Sequence, residues 1–214
     1  MLNSIPPHPQ GVGFPLGKTM KNKIFVIGNT SEISINLFKN FYIDDEIIGI
    51  NSNNLNFLEP NSGQNLQNML RSYNPDLIFV FSGVIGSDES MYHEVFDINF
   101  KPFHEIVKFY KKNPTNKKLK IIVLGSKSFK GGRKDYLLYS ASKAALHNLF
   151  LSACSIFKNK NITLGIIHLP KVKTKMIKNL NGSYDALDIQ EASKIIFDFE
   201  KSIQKSSSLI YDDI

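Results

Sequence analysis

Residues 119–143 read LKIIVLGSKSFKGGRKDYLLYSASK. The first seven, LKIIVLG, form a short apolar run ending at a glycine, the pattern of a strand buried in a parallel sheet. From Tyr139 onward the pattern turns helical, and Tyr139 and Lys143 stand four residues apart. Residues i and i+4 share a helix face, so the phenol and the ammonium can enter one site. A cation beside a phenol favours the phenolate and lowers the phenol pKa. Such a tyrosine can serve as a general acid or base. Ser126, at the end of the strand, brings a hydroxyl to the same place. The spacing alone equally fits a packed aromatic beside a lysine whose stem lies along an amphipathic helix.

Working outward, further apolar runs read as strands at 23–28 (KIFVIG), 46–50 (EIIGI), 75–83 (PDLIFVFSG), 162–168 (ITLGIIH) and 208–211 (SLIY), with a short one expected at 54–58 (NLNFL). Helical periodicity lies between them, at 33–41, 62–73, 139–157 and 188–204. Residues 90–112 read as one helix broken at Pro102 or as two shorter ones. Alternating strands and helices predict an α/β fold, a three-layer doubly wound mostly parallel sheet (Rossmann-like) of six or seven strands.

The 214 residues suffice for one full core. Residues 1–20 are rich in Pro and Gly and read as a flexible tail, a swapping arm, or residues upstream of a native start at Met20. Residues 21–214 read as a single dinucleotide-binding catalytic domain. The single cysteine, Cys154, excludes a disulfide framework or thiolate metal cluster. It lies in an apolar helical run and reads as a buried, inert thiol. The net charge of +7 is spread over scattered lysines, without zinc-finger spacing or interleaved Arg and aromatic residues, which argues against nucleic acid. With neither a signal-peptide pattern nor an apolar run of membrane-spanning length, the expectation is a cytoplasmic protein away from the membrane.

The strand KIFVIG runs into the turn NTSE and an amphipathic helix, the opening of a dinucleotide fold. A glycine fingerprint is expected there. Gly28 is present, but Glu32 and Ser34 stand where glycines would let backbone approach a pyrophosphate. Turn amides and the helix N-terminus around Thr30, Ser31, Glu32 and Ile33 still attract an anion, opposed by the charge of Glu32. After EIIGI, neither an acid nor a base follows; Asn51, Ser52 and Asn53 suit either an adenosine ribose or an ordinary surface turn.

Taken together, the residues resemble a short-chain dehydrogenase/reductase over roughly 22–212. Tyr139-Ser-Ala-Ser-Lys143 matches the family's YxxxK segment. Ser126, thirteen residues earlier, matches its serine, and Asn99, in VFDIN, its asparagine. Phe81-Ser82-Gly83 stands for Asn-Ala-Gly, residues Gly28 to Ser34 for GxxxGxG, and Val172 and Thr174 for the later PGxVxT segment. The chain departs from the family at Glu32, Ser34, Phe81, Ser82 and Leu169-Pro170, and the family's Asp for the adenine ring has no clear match.

The resemblance implies hydride transfer between nicotinamide C4 and a carbonyl or alcohol carbon. It makes Tyr139 the acid/base, Ser126 the residue orienting the substrate oxygen, Lys143 the group that lowers the Tyr pKa and binds ribose, and Asn99 a member of the proton relay. Gly28, Thr30, Ser31, Glu32, Ile33, Asn51, Ser52, Ser82, Gly83, Tyr139, Lys143, Val172 and Thr174 become the cofactor-binding set. The cofactor is NADP or NAD, with a lean to NADP because no acid follows the second strand to repel a 2′-phosphate. The expected substrate is a small carbonyl or alcohol, polar and sugar-like or nucleotide-linked, steered by Lys171, Lys173, Lys175 and Lys178 if these are more than a solvated loop. The family implies a homodimer or homotetramer through the helices near 101–112 and 139–157.

No metal is implied, and the five histidines have no recognisable ligand spacing. His93 and His104 read as surface or packing residues and His147 as a helix-flank residue. His168 precedes the substrate-side turn and is a candidate for touching substrate. The alternative to an enzyme is a catalytically silent dinucleotide-binding regulatory or structural protein.

Overall fold

The computed structural model describes residues 21–85, 92–178, 185–203 and 208–212; residues 1–20 and the segment 179–184 fall outside them. Within that range the apolar runs become strands β1 (Lys23–Ile27), β2 (Glu46–Ile50), β3 (Leu77–Val80), β4 (Leu119–Leu124), β5 (Ile162–Ile167) and β6 (Ser208–Tyr211). The helices are α1 (Glu32–Phe41), α2 (Ser62–Tyr73), α3 (Tyr92–Asn99), α4 (Lys101–Lys112), α5 (Leu137–Phe157), α6 (Lys175–Lys178) and α7 (Ile189–Ser202).

All strand pairs are parallel, in the order β2-β1-β3-β4-β5-β6. Alternate residues of each central strand serve opposite cores. Phe25, Ile27, Ile78, Val80, Ile121 and Val123 join one with α2, α4 and α5. Ile24, Val26, Leu77, Phe79 and Ile122 join the other with α1 and α7. Covering both faces is what lets these strands be apolar at every position. The chain reverses its winding direction at β1, which leaves a crevice at the carboxyl ends of β1 and β3 where the flanking loops part.

Two expectations are corrected or resolved. Residues 54–58 form no strand; they lie in a series of turns between β2 and α2. Asparagine side chains take the backbone groups a ladder would need: Asn54 Oδ1 accepts from Asn51 N, Asn51 Oδ1 from Asn53 N, and Asn56 Oδ1 from Leu58 N. Such local bonds compete with a sheet. Leu55 and Phe57 are still buried, as core residues of a loop. Within 92–112 there are two helices that meet at Phe100. Pro102 lies in the first turn of α4, where its missing N–H costs nothing.

The amino ends of the strands are closed by a buried charge network. Glu200 of α7 accepts from Tyr42 at 3.0 Å, bonds Lys120 of β4, and pairs with Lys201 at 2.9 Å. Burial pushes the Glu200 carboxyl up, but the hydrogen bonds and charges of Lys120 and Lys201 outweigh it and hold it below its ordinary value. The carboxyl ends of the strands, at the opposite side of the sheet, carry the candidate site.

Candidate functional site

Gly28 ends β1 at φ +85°, and a Cβ there would stand 2.7 Å from Ser82 N. Only glycine has both the conformation and the room. Gly28 N and Asn29 N donate to Ile50 O at 2.8 and 3.2 Å, tying the turn to the end of β2. Asn29 then crosses Gly49 and accepts from Asn51 Nδ2 at 3.1 Å. Ser31 caps α1 by accepting from Ser34 N at 3.1 Å. Ser34, in a glycine's place, is fully buried.

Beyond this turn opens a cleft of about 850 Å³. Gly28, Thr30, Ser31, Glu32, Ile33, Asn51, Ser52, Ser82, Gly83, Val172 and Thr174 all line it, as do Ser126, Tyr139 and Lys143. Glu32 spans the cleft: its Oε2 accepts from Lys175 N at 2.6 Å. The Ser82 hydroxyl is buried and has no hydrogen-bond partner. A buried orphan hydroxyl on a cleft wall suits a polar ligand group.

At the far end of the cleft, Ser126 follows β4 and caps a short 3-10 turn, Lys127–Lys130, accepting from Ser128 N at 3.2 Å. Its hydroxyl faces the Tyr139 phenol and lowers the phenol pKa. The Lys143 ammonium lies 5.6 Å from the centre of the Tyr139 ring and donates to Leu124 O at 3.2 Å. Burial of Lys143 lowers its pKa from 10.5 to about 8. Asn99 stands one layer behind the cleft. Its Oδ1 accepts from Val84 N at 2.7 Å, and its Nδ2 donates to Val84 O and to Ser142 Oγ at 3.0 and 2.9 Å. The amide therefore fixes the backbone leaving β3; its Oδ1 would lie 3.5 Å, and Lys143 Nζ 3.7 Å, from a Cβ on Gly83.

The Tyr139 phenol departs from expectation. Burial pushes its pKa up from the ordinary value; the Ser126 hydroxyl pulls it down and Tyr136 adds to the rise. Desolvation of a phenolate outweighs what the neighbours return. The phenol is thus held protonated, which suits a proton donor.

His168 is also corrected. It is fully buried beside Gly125, away from the cleft lining. His147 is no simple flank residue, since its Nδ1 meets His168 Nε2 at 3.0 Å. Of the four lysines expected to steer substrate, Lys171 and Lys175 line the cleft, whereas Lys173 pairs outside it with Asp188 at 3.1 Å. The side chain of Lys178 lies outside the described residues. Sequence reading missed Arg133, Tyr136 and Lys127, which line the reactive end, and Leu55, Asn56 and Phe57, which line the other. Tyr136, three residues before Tyr139 on the same approach to α5, was the one with a spacing signal; the rings meet edge to face at 6.0 Å.

Residues 82–185 match the family model of the short chain dehydrogenases. The fold is similar to a short chain dehydrogenase from Burkholderia cenocepacia J2315 solved with NADP, at 11% identity, TM-score 0.71, and coverage of 90% of this chain and 89% of that one. It is similar also to the 3-alpha-hydroxysteroid dehydrogenase of Pseudomonas sp. B-0831 solved with NADH, at 13% identity, TM-score 0.73, and coverage of 89% and 95%. A 4-hydroxyisoleucine dehydrogenase solved with NADH gives 21% identity, TM-score 0.71, and coverage of 90% and 97%. No curated protein matches the chain in sequence. The matched segment runs from the end of β3 through Asn99, Ser126, Tyr139 and Lys143 in order, so this part of the chain is similar to the short chain dehydrogenases, and the fold they share extends over nine-tenths of its length.

Proposed function

We propose that the protein is an NAD(P)-dependent oxidoreductase acting on a small anionic carbonyl or alcohol. The observation that carries this reading is the meeting of the Ser126 hydroxyl, the Tyr139 phenol and the Lys143 ammonium at one end of a cleft. The other end of that cleft is the Gly28 turn. The residues fit a dinucleotide: a glycine turn leading into a capped helix, neutral polar Asn51 and Ser52 after β2, and the unpartnered Ser82 hydroxyl. The absence of an acid after β2 favours NADPH, as a 2′-phosphate meets no repulsion there.

A nicotinamide cofactor supplies hydride to the carbonyl carbon, or removes it from the alcohol. Tyr139 donates its phenol proton to the substrate oxygen as that oxygen becomes an alkoxide, and takes it back in the reverse direction. Ser126 donates to the same oxygen and fixes its position. Lys143 places positive charge behind the phenol, so that the phenolate left after proton transfer is stabilised. Asn99 holds the β3 exit against α5 and thereby sets the floor of the site. Five cationic side chains line the cleft (Lys127, Arg133, Lys143, Lys171 and Lys175) against two acidic ones (Glu32 and Asp185), which favours an anionic substrate, a carboxylated, phosphorylated or nucleotide-linked sugar among them.

The test is a panel of phosphorylated and carboxylated sugars and matched neutral ketones, each with NADPH and NADH, followed by loss of reduced-cofactor absorbance. Anionic compounds should be turned over, and Tyr139→Phe should lose about 10²–10⁴-fold of turnover while binding NADPH as the parent does. Reduction of neutral ketones alone would remove the anionic reading, and a Tyr139→Phe enzyme of full activity would remove the mechanism. Cofactor binding without turnover of any carbonyl would leave the regulatory alternative.

A further inference from the structure

The described residues contain a pair of titratable rings, one buried and one half-buried, that the mechanism does not use. His168, at the end of β5, is 0% exposed, and His147 projects from α5 one turn beyond Lys143. His168 Nδ1 lies 3.2 Å from Ser126 O, and His168 Nε2 lies 3.0 Å from His147 Nδ1. Phe129, from the 3-10 turn that Ser126 begins, stacks on both rings at 4.0 and 4.3 Å between centres. Gly125 makes room for the arrangement: a Cβ there would stand 2.4 Å from His168 Nδ1.

The partners fix the protons. Ser126 O is a carbonyl and only accepts, so His168 Nδ1 carries hydrogen. Neutral His168 then has a bare Nε2, which accepts from His147 Nδ1–H. Burial and the neighbouring His147 lower the His168 pKa to about 4, consistent with a neutral ring. The chain of donors therefore runs one way, from His147 to His168 to the Ser126 carbonyl.

We infer that His168 is a positioning residue for Ser126, held in the required tautomer by His147. It touches neither the cleft nor the reacting atoms. It acts by fixing the peptide of Ser126, so that the hydroxyl on the other side of the same residue meets the Tyr139 phenol. Bonded at its carbonyl by His168 and covered by Phe129, the 125–130 segment rests on imidazoles. The Ser126 carbonyl also accepts from Phe129 N at 3.1 Å, closing the 3-10 turn, and the segment is tied outside itself by Gly125 N to Ile167 O at 2.8 Å and Lys127 N to Leu169 O at 3.4 Å; His168 is the side chain that holds this turn from the sheet side. The inference rests on the proposed role of Ser126 for its catalytic consequence, but its structural half is independent of turnover.

The experiment compares His168→Leu, which removes the donor, with His168→Asn, whose side-chain N–H can take the place of Nδ1. Amide hydrogen exchange across 126–130 is read without substrate. It should rise about tenfold or more in His168→Leu and return near the parent level in His168→Asn, while exchange in β1, β3 and β4 stays unchanged. With whichever panel sugar the parent reduces, kcat should fall about 10²-fold in His168→Leu at unchanged NADPH affinity, and His168→Asn should recover most of it. Parent-like exchange at 126–130 in His168→Leu, parent-like kcat, or an Asn variant as impaired as the Leu variant overturns the assignment. If His168→Leu does not fold, His147→Leu decides: it removes the tautomer-fixing donor, and parent-like exchange at 126–130 counts against the inference. A parent protein that turns over nothing refutes the enzyme reading and leaves the exchange comparison to judge this one.

Discussion

Replacing Lys143 by Met should stabilise the protein while removing its activity. Lys143 is 4% exposed, its ammonium bonds only Leu124 O among the contacts described above, and burial brings its pKa from 10.5 to about 8. At about 1.4 kcal/mol per pKa unit, holding that charge in the core costs about 3 kcal/mol near neutral pH. Met fills similar volume without charge, but leaves the Leu124 carbonyl without its donor, a loss of about 1 kcal/mol. The balance is a gain of about 2 kcal/mol, or about 4–8 °C in Tm for a chain of this size.

The sign fixes the pH window. Below about pH 8 the ammonium is charged in both folded and unfolded chains, and the penalty is complete. Between about 8 and 10.5 the folded chain has released the proton that the unfolded chain still holds, so the stability of the parent rises with pH relative to Lys143→Met. Above 10.5 the charge penalty is gone and only the lost hydrogen bond to Leu124 O remains, so the parent is then the more stable by about 1 kcal/mol. The assay is thermal unfolding of both proteins at pH 7 and pH 10; all other titrating groups are common to both, so the difference isolates Lys143. A variant less stable than the parent at pH 7, or a gap that does not change between the two pH values, would refute the reasoning that this site holds a charge at the expense of stability.

Three further outcomes are expected. Glu32→Gln should bind NADPH and NADH more tightly by about 3–10-fold, measured by fluorescence titration, because the amide keeps an acceptor for Lys175 N and removes the negative charge from the helix start; unchanged or weaker binding would count against it. Lys120→Met should lower stability by about 3 kcal/mol at pH 7 by stripping the nearest cation from buried Glu200. Because the Glu200 pKa is depressed, the network's contribution is present above the ordinary carboxylate value and lost as pH falls through the folded one; thermal melts should show the gap narrowing in acid. The chain should pair through α4 and α5, where Ala141 and Ser152 are exposed, and sedimentation at micromolar concentration showing monomer alone would exclude it.

The sheet was legible because its strands are buried on both sides: KIFVI, LIFV and KIIVL have no polar face to confuse with a helix. The reactive end was legible because Tyr139 and Lys143 are one helical turn apart, and Ser126 closes the preceding strand. What the sequence hid depends on long-range contact. NLNFL has the apolar content of a strand, yet the Asn side chains around it satisfy the backbone locally, and two of its apolar residues enter the core from a loop. The rise in the Tyr139 pKa could not be read from its neighbour Lys143, because desolvation is set by everything that covers the ring. The His147–His168 pair joins residues 21 apart through a strand end and a helix flank. Its one local trace is Gly125, whose need for glycine shows only once His168 is placed against it.

Of the departures from the family pattern, Glu32 and Ser34 lie at the Gly28 end of the cleft, and their placement there has a kinetic meaning; Leu169-Pro170 borders the reactive end, where Ser126, Tyr139 and Lys143 nevertheless stand together. Groups that hold the distant part of a cofactor bind ground state and transition state alike, so weakening them raises KM without slowing the chemical step. Groups around the reacting oxygen act on the step itself. The proposed enzyme is therefore one whose cofactor KM, rather than its kcat, carries the mark of its altered turn. The Glu32–Lys175 bond gives this a structural form: a carboxylate at the start of α1 ties the turn to the opposite wall of the cleft.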